Sequence, residues 1–238
     1  MKLRILTGML VVIIFCAILS GVHEVIASTI VVIRTSNVDS YVESSTPTTN
    51  YGTSTRLKVD PKTVSIKRSL LSFDLSKIPP GQVIVQAVLS LYLSTPPSTI
   101  RILEVHRITA NWTERGVTWN NQPSFQTTPT SITNVGVIIS WVNWTVTTDI
   151  AAGYSNPSQW FGFTIKDSQE PIQAGGSLLD FNSGDGSAPL RPQLSVIYAL
   201  QIPEIPGWTA LLLGVGGVGL IYSQTLKRRT SKLPKPQA

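Results

Sequence analysis

The run Ala87-Val88-Leu89-Ser90-Leu91-Tyr92-Leu93 decides the fold class. In an extended chain, successive side chains point to opposite faces, so Ala87, Leu89, Leu91 and Leu93 share one side while Ser90 and Tyr92 share the other. That is a strand with one face in a core and one face open. Outward from it, similar short apolar runs recur at 29–34, 40–43, 56–60, 69–75, 99–108, 135–146, 160–166, 177–181 and 193–200, and about ten strands are expected. Turn signals separate them: Asn50-Tyr51-Gly52, Pro79-Pro80-Gly81, Pro96-Pro97, Gly175-Gly176 and Ser183-Gly184-Asp185-Gly186. No stretch alternates strands with amphipathic helices, so the expected fold class is all-β, an antiparallel β-sandwich. Only 148–152 invites a helical turn, with Thr148 or Asp149 as its N-cap.

The two ends read differently from this middle. Lys2 and Arg4 precede an apolar stretch, Ile5 to Val22, and Val25-Ile26-Ala27 suits a signal peptidase, so 1–27 is expected to be a signal peptide, with an uncleaved signal anchor as the rival. Residues 28–201 would then be exported. A short proline linker at 202–206 leads into 207–226, which holds no charged residue and is followed by Lys227-Arg228-Arg229. Twenty helical residues rise about 30 Å, enough for a bilayer core, and the basic cluster is expected to stay cytoplasmic as part of a tail at 227–238.

Charge follows the same partition. The chain has 19 Lys+Arg against 13 Asp+Glu, but 28–201 keeps twelve basic and eleven acidic residues, so the basic excess belongs to the ends. A nucleic-acid surface would need that excess on the folded part, and no nucleic-acid partner is expected. Cys16, the single cysteine, lies in the leader, leaving no disulfide for the domain. One domain of this length buries enough surface without one.

Read in order, the middle presents a series of landmarks. They are Asp39-Ser40-Tyr41-Val42, Asn50-Tyr51-Gly52, Leu57-Lys58-Val59, 68–75 with Ile78-Pro79-Pro80-Gly81, the strand at 87–92, Val105-His106-Arg107-Ile108, Trp112-Thr113-Glu114, Val117-Thr118-Trp119-Asn120, Phe161-Gly162-Phe163 and Arg191-Pro192-Gln193-Leu194. The series resembles the DNRLRE, or disaggregatase-related, domain family from about Asp39 to Tyr198, its most specific piece being 112–120. The resemblance implies a jelly-roll sandwich on a secreted or surface protein, grouped with carbohydrate-binding modules, some of which take acidic polysaccharide. The chain lacks the family's name-giving hexapeptide and carries no attached enzyme. Its carboxyl end resembles the PEF-type sorting signals of archaeal surface proteins, with Ile205 in place of the aromatic residue.

Enzyme chemistry finds few parts. After export only His106 remains, with no cysteine and no Gly-x-Ser-x-Gly elbow, and sequence brings no two of Asp74, Glu104, Glu114 and Asp149 together. A catalytic role is not expected. His106 shares a strand face with Glu104 and reads as a surface or cross-strand polar residue. For a glycan, Trp112 and Trp119 offer ring faces, although a β-sandwich core would also absorb them; Trp141, Trp144 and Trp160 lie in strands and read as core or rim. Arg56 and Lys58 share one strand face, and with Arg68 and Arg107 they would match uronate carboxylates if they converged. A solvated sheet face is the alternative. The expected ligand-binding set is therefore Arg56, Lys58, Arg68, Arg107, Trp112 and Trp119. Asp39, Asn50, Asp180 and Asp185 sit near turns where a structural Ca²⁺ could be held, though turn chemistry alone places Asp and Asn there; no other cofactor is expected. Asn111-Trp112-Thr113 and Asn143-Trp144-Thr145 are sequons, making Asn111 and Asn143 candidate glycosylation sites. The expected partners are a polysaccharide or cell-surface glycan and, through the carboxyl-terminal run, a membrane. The rival expectation is a structural envelope subunit with no sugar ligand.

Overall fold

A computed structural model describes residues 25–34, 38–173 and 178–200, together with the short strands β1 (Ile13–Cys16), β13 (Thr209–Leu213) and β14 (Gly219–Ser223). The fold is two antiparallel sheets packed face to face. One has seven strands: β1, β2 (Val25–Arg34), β12 (Gln193–Leu200), β6 (Gln82–Thr95), β11 (Leu179–Asn182) and β4 (Arg56–Val59) in that order, with β9 (Ser140–Thr145) also on β6. Leu93 faces both Phe181 and Ser140, which puts β11 and β9 on opposite edges of β6. The other sheet has five strands, ordered β3 (Val38–Glu43), β5 (Lys67–Ser72), β10 (Phe163–Asp167), β7 (Arg101–Arg107) and β8 (Ser131–Val135).

The core lies between the sheets. Ala87, Leu89, Leu91 and Leu93 of β6 are fully buried there, as the alternation predicts, with Leu57, Leu71, Leu103, Val105, Trp144, Phe163, Phe181 and Leu194. Each large aliphatic side chain so buried contributes about 1.5–3 kcal/mol before the chain's entropy is counted. At one end of this core Arg101 donates two hydrogen bonds, each 2.7 Å, to the carboxylate of the buried Asp167. The two-point geometry is what lets both charges sit out of water.

A second, smaller core sits on the outer face of the five-stranded sheet. Val42, Leu70, Ile108 and Val117 are buried there under Trp112, Trp119 and Phe161. The covering segment is the connection 109–130, tied down by Thr109 N–H to Ser124, Gln126 N–H to Arg107 and Thr130 N–H to Val105. Asn50 holds it from the side, donating 2.7 Å hydrogen bonds to the carbonyls of both Glu114 and Val117, while Asp39 N–H donates to Glu114. Gly52 is required at this seam, since a Cβ there would stand 2.2 Å from the Glu114 oxygen.

Several expectations are corrected. The run 135–146 is two strands, because the chain turns at Gly136–Ile139 between β8 and β9. The strand expected from 160 begins at Phe163, after Gly162 takes φ +95 against Leu71. The helix α1 (Thr147–Ser155) is longer than the turn expected and follows Val146, with no side-chain cap. Asp149, half of that expected cap, accepts from Thr130 instead. In the carboxyl-terminal unit, 201–238, the two described stretches of the run expected to be a helix are β13 and β14, paired antiparallel from Thr209↔Ser223 to Leu213↔Gly219. Gly214, Gly216 and Gly217 between them are poor helix formers. The rest of that run, the linker, the basic tail and most of the signal sequence lie outside the described residues. Among the described residues no helix is long and apolar enough to cross a membrane.

Candidate functional site

The six residues expected to bind ligand occupy three separate places. Arg56 and Lys58 lie on the outer face of the seven-stranded sheet, since their neighbours Leu57 and Val59 are in the core. Arg68, Trp112 and Trp119 lie on the far side, beneath or within the 109–130 cover. Arg107 lies at an end of the five-stranded sheet, donating from Nη2 to the Gln159 carbonyl at 2.9 Å. They do not converge.

The covered group is engaged internally. The Arg68 guanidinium lies 4.8 Å from the Trp119 ring and 5.7 Å from the Phe125 ring, donates at 2.8 Å to Glu170 and at 2.9 Å to Gln122. Burial raises the Glu170 carboxyl above its ordinary range despite the attraction of Arg68 and Lys166. Lys166 and His106 both reach Glu104, at 3.1 and 3.0 Å, and His106 also meets the Gln126 carbonyl at 2.8 Å. Burial pushes the Glu104 carboxyl up, and its bonds to His106 and Lys166 outweigh that and leave it lowered. His106, expected at a surface, is 2 % exposed because the cover closes over it. Trp112 donates from Nε1 to the Phe161 carbonyl at 2.8 Å, which fixes its indole as packing.

The outer face of the seven-stranded sheet is more open: Trp141 is exposed and Arg56, Lys58, Tyr92 and Ser94 are half-buried, although Asn182 among them is buried. Four strands present a row across it. On β4, Arg56 opposes Asn182 of β11 and donates to it and, at 2.7 Å, to Ser94 of β6. Lys58 opposes Asp180 and rests its ammonium 5.5 Å from the Tyr41 ring, which stacks on Tyr51 at 4.1 Å. Burial pushes the Tyr41 phenol well up, with Tyr51, Glu43 and Asp180 adding to it, so it stays a neutral hydroxyl. On β6, Tyr92 and Ser94 follow in the same face, and Tyr92 meets Trp141 of β9 edge-on at 5.4 Å. Trp141 is 36 % exposed, in contrast to Trp144, which points inward at 1 %. At about 4.8 Å per strand spacing the row from Arg56 to Trp141 runs roughly 14 Å. An aromatic end, a guanidinium end and the Ser94 hydroxyl between them suit a chain of sugar rings bearing carboxylates.

Trp141 and Tyr92 were not in the ligand set expected from the sequence. The signal was present in the period-two register, which puts both on the polar side of their strands. Asn111 and Asn143 are both exposed, and Asn143 lies on this same face opposite Ser90. The turn residues considered for Ca²⁺ have local roles: Asp39 accepts from Gly184 N–H and Asn50 accepts from Gly52 N–H. Among the described residues no three His, Cys, Asp or Glu side chains group to hold a metal ion.

An all-β sandwich whose open sheet face carries ring, hydroxyl and guanidinium groups belongs to the class of binding modules. The profile of carbohydrate-binding module family 96 matches residues 31–198, and the chain belongs to that family. Modules of this kind are in general non-catalytic. No curated protein matches the chain.

Proposed function

We propose that the chain is a surface-held module that binds acidic polysaccharide along the open face of its seven-stranded sheet. One observation carries the reading: Arg56, Ser94, Tyr92 and Trp141, none of them buried, share the outer face of the sheet, with Arg56 held against Ser94 and the buried Asn182. Arg56 is pre-ordered by Ser94 and Asn182, so little rotamer freedom is lost when it meets a carboxylate. The uncharged run 207–226 with its basic flank supports display at a membrane surface facing outward. The Pro203-Glu204 element supports a sorting signal of the archaeal kind, and the order of landmarks supports kinship with disaggregatase-related domains. Titration of the chain with oligogalacturonate and with neutral oligosaccharides, at low and high salt, tests the assignment. Salt-sensitive binding of the acidic oligomer that is lost in Trp141→Ala is the expected outcome; equal binding in that variant would remove this face.

A second reading, a structural envelope subunit, is favoured by the β8–β9 turn. Val137, Ile138 and Ile139 are 49, 68 and 57 % exposed there, beside Ile100. Concentration-dependent self-association abolished by Ile138→Ser would support it.

A further inference from the structure

A cleft of about 700 Å³ opens at the end of the sandwich where β6 begins, lined among others by Phe73, Asp74, Ser76, Gly81, Tyr154 and Trp160. Its volume falls in the range of small-ligand sites. Two features set its chemistry. First, the two aromatic side chains with polar atoms have them already satisfied: Trp160 Nε1 donates to the Phe73 carbonyl at 2.9 Å, and the Tyr154 hydroxyl donates to the Pro79 carbonyl at 2.5 Å and accepts from Gln82 N–H at 3.0 Å. They offer only ring surface, and they are held in place. Trp160 is braced by Phe163 edge-on at 5.1 Å and by Gly153, where a Cβ would come within 2.6 Å of the indole. Second, the only carboxylate in the lining is Asp74, whose pKa is lowered by hydrogen bonds from Ser76, so it stays ionised, and the cation beside it, Lys77 at 3.6 Å, is largely solvent-exposed and outside the lining.

Rigid rings beside an anionic acceptor favour a polyhydroxylated ring without negative charge. C–H surfaces of such a ring would lie on Trp160 or Tyr154, and its hydroxyls would donate to Asp74. A uronate would meet Asp74 as a like charge. We propose that this cleft is a second sugar subsite, selective for neutral sugar, opposite in charge preference to the open sheet face. The inference rests on the carbohydrate-binding reading for its ligand class but on none of the residues of that face. Tyr92 is ten residues from Gln82 along β6, so the two sites are separated by roughly 30 Å of strand. One molecule could then hold an acidic chain and a neutral sugar at once.

The test uses the indole N–H resonances of the full chain, kept in solution by a detergent without a sugar headgroup. Trp160 reports the cleft and Trp141 the open face. Maltose, cellobiose and lactose serve as neutral probes and oligogalacturonate as the acidic one. At least one neutral disaccharide is expected to shift the Trp160 signal saturably at millimolar concentration, unaffected by added salt, with Trp141 unmoved. Ser76→Arg, at an exposed rim position, should abolish that shift. Tyr154→Leu should weaken it about fivefold or more, provided that variant folds. A Trp160 signal that stays still with every neutral probe to about 50 mM, or moves equally in Ser76→Arg, overturns the proposal. Response at Trp141 alone would sink the cleft and spare the face, whereas response at Trp160 alone would do the reverse. Silence at both with all sugars would remove the carbohydrate reading of both.

Discussion

The outer faces of the two sheets are built from the same kinds of residue and do opposite things. Each carries an arginine and a tryptophan. On the five-stranded sheet the connection 109–130 folds over Arg68 and lays its own Trp119 on it, and the guanidinium is also taken up by Glu170 and Gln122. On the seven-stranded sheet Arg56 is half-buried and Trp141 exposed, and the same chemistry stays available to a ligand. Composition therefore says little about recognition here; what matters is whether a neighbouring loop has already taken the groups.

The largest effect should come from breaking the covered face. Arg68→Ala removes the nearer cation from Glu170, whose side chain is 4 % exposed, and leaves it only Lys166 at 3.7 Å, so a loss of about 1–3 kcal/mol in unfolding free energy is expected. Sugar binding per folded molecule should not change. Denaturant melts check this, and a loss below about 1 kcal/mol would mean that the cover is not held as described. On the open face the pattern inverts: Trp141→Ala should weaken polysaccharide binding about tenfold while stability moves by less than about 0.5 kcal/mol, as read by calorimetric titration beside a melt. Arg56→Ala should cost several-fold in affinity for an acidic polymer, less for a neutral one, and should flatten the salt dependence of the acidic interaction. An unchanged salt slope would relocate the charge recognition.

A smaller effect sharpens the seam between the faces. Burial pushes the Glu43 carboxyl up, but hydrogen bonds from Ser45, Ser65 and Lys67 outweigh it and bring its pKa down to about 2 from an ordinary 4.5. The unfolded chain then binds the proton more readily than the folded one. Glu43 thus contributes stability that is complete above about pH 4.5 and is lost as pH falls toward 2. In Glu43→Gln the acid limb of a stability-against-pH curve should be shallower across that window. Glu170, raised rather than lowered, acts with the opposite sign, its contribution falling as pH rises above 4.5.

Legibility in the sequence tracked periodicity. The alternation at Ala87–Leu93 was enough to place β6 with its core side and its open side, and the same rule put Arg56 and Lys58 outward. What could not be read was which outward face stays open. The Trp112-Thr113-Glu114 and Val117-Thr118-Trp119-Asn120 cluster, the most family-specific piece, turns out to be a clasp on Asn50, Asp39 and Gly52, contacts that span more than sixty residues. Local pattern carries no such information. The turn at Gly136 was hidden because apolar residues continue through it, and the helix α1 was underestimated because Thr147 and Thr148 are weak helix formers that the fold overrules.

The strand β12 lies between β2 and β6 and pairs with both over nearly its whole length, from Gln193 opposite Ser90 to Leu200 opposite Gln82. β12 ends at Leu200, opposite Gln82, whereas the row from Arg56 to Trp141 crosses β6 at the other end, near Tyr92. Tension applied between that row and Leu200 would therefore run along the axis of β12. Its two ladders of hydrogen bonds are loaded in shear, all together, instead of being opened one rung at a time. A sandwich loaded in that direction resists opening better than one whose edge strand is peeled away.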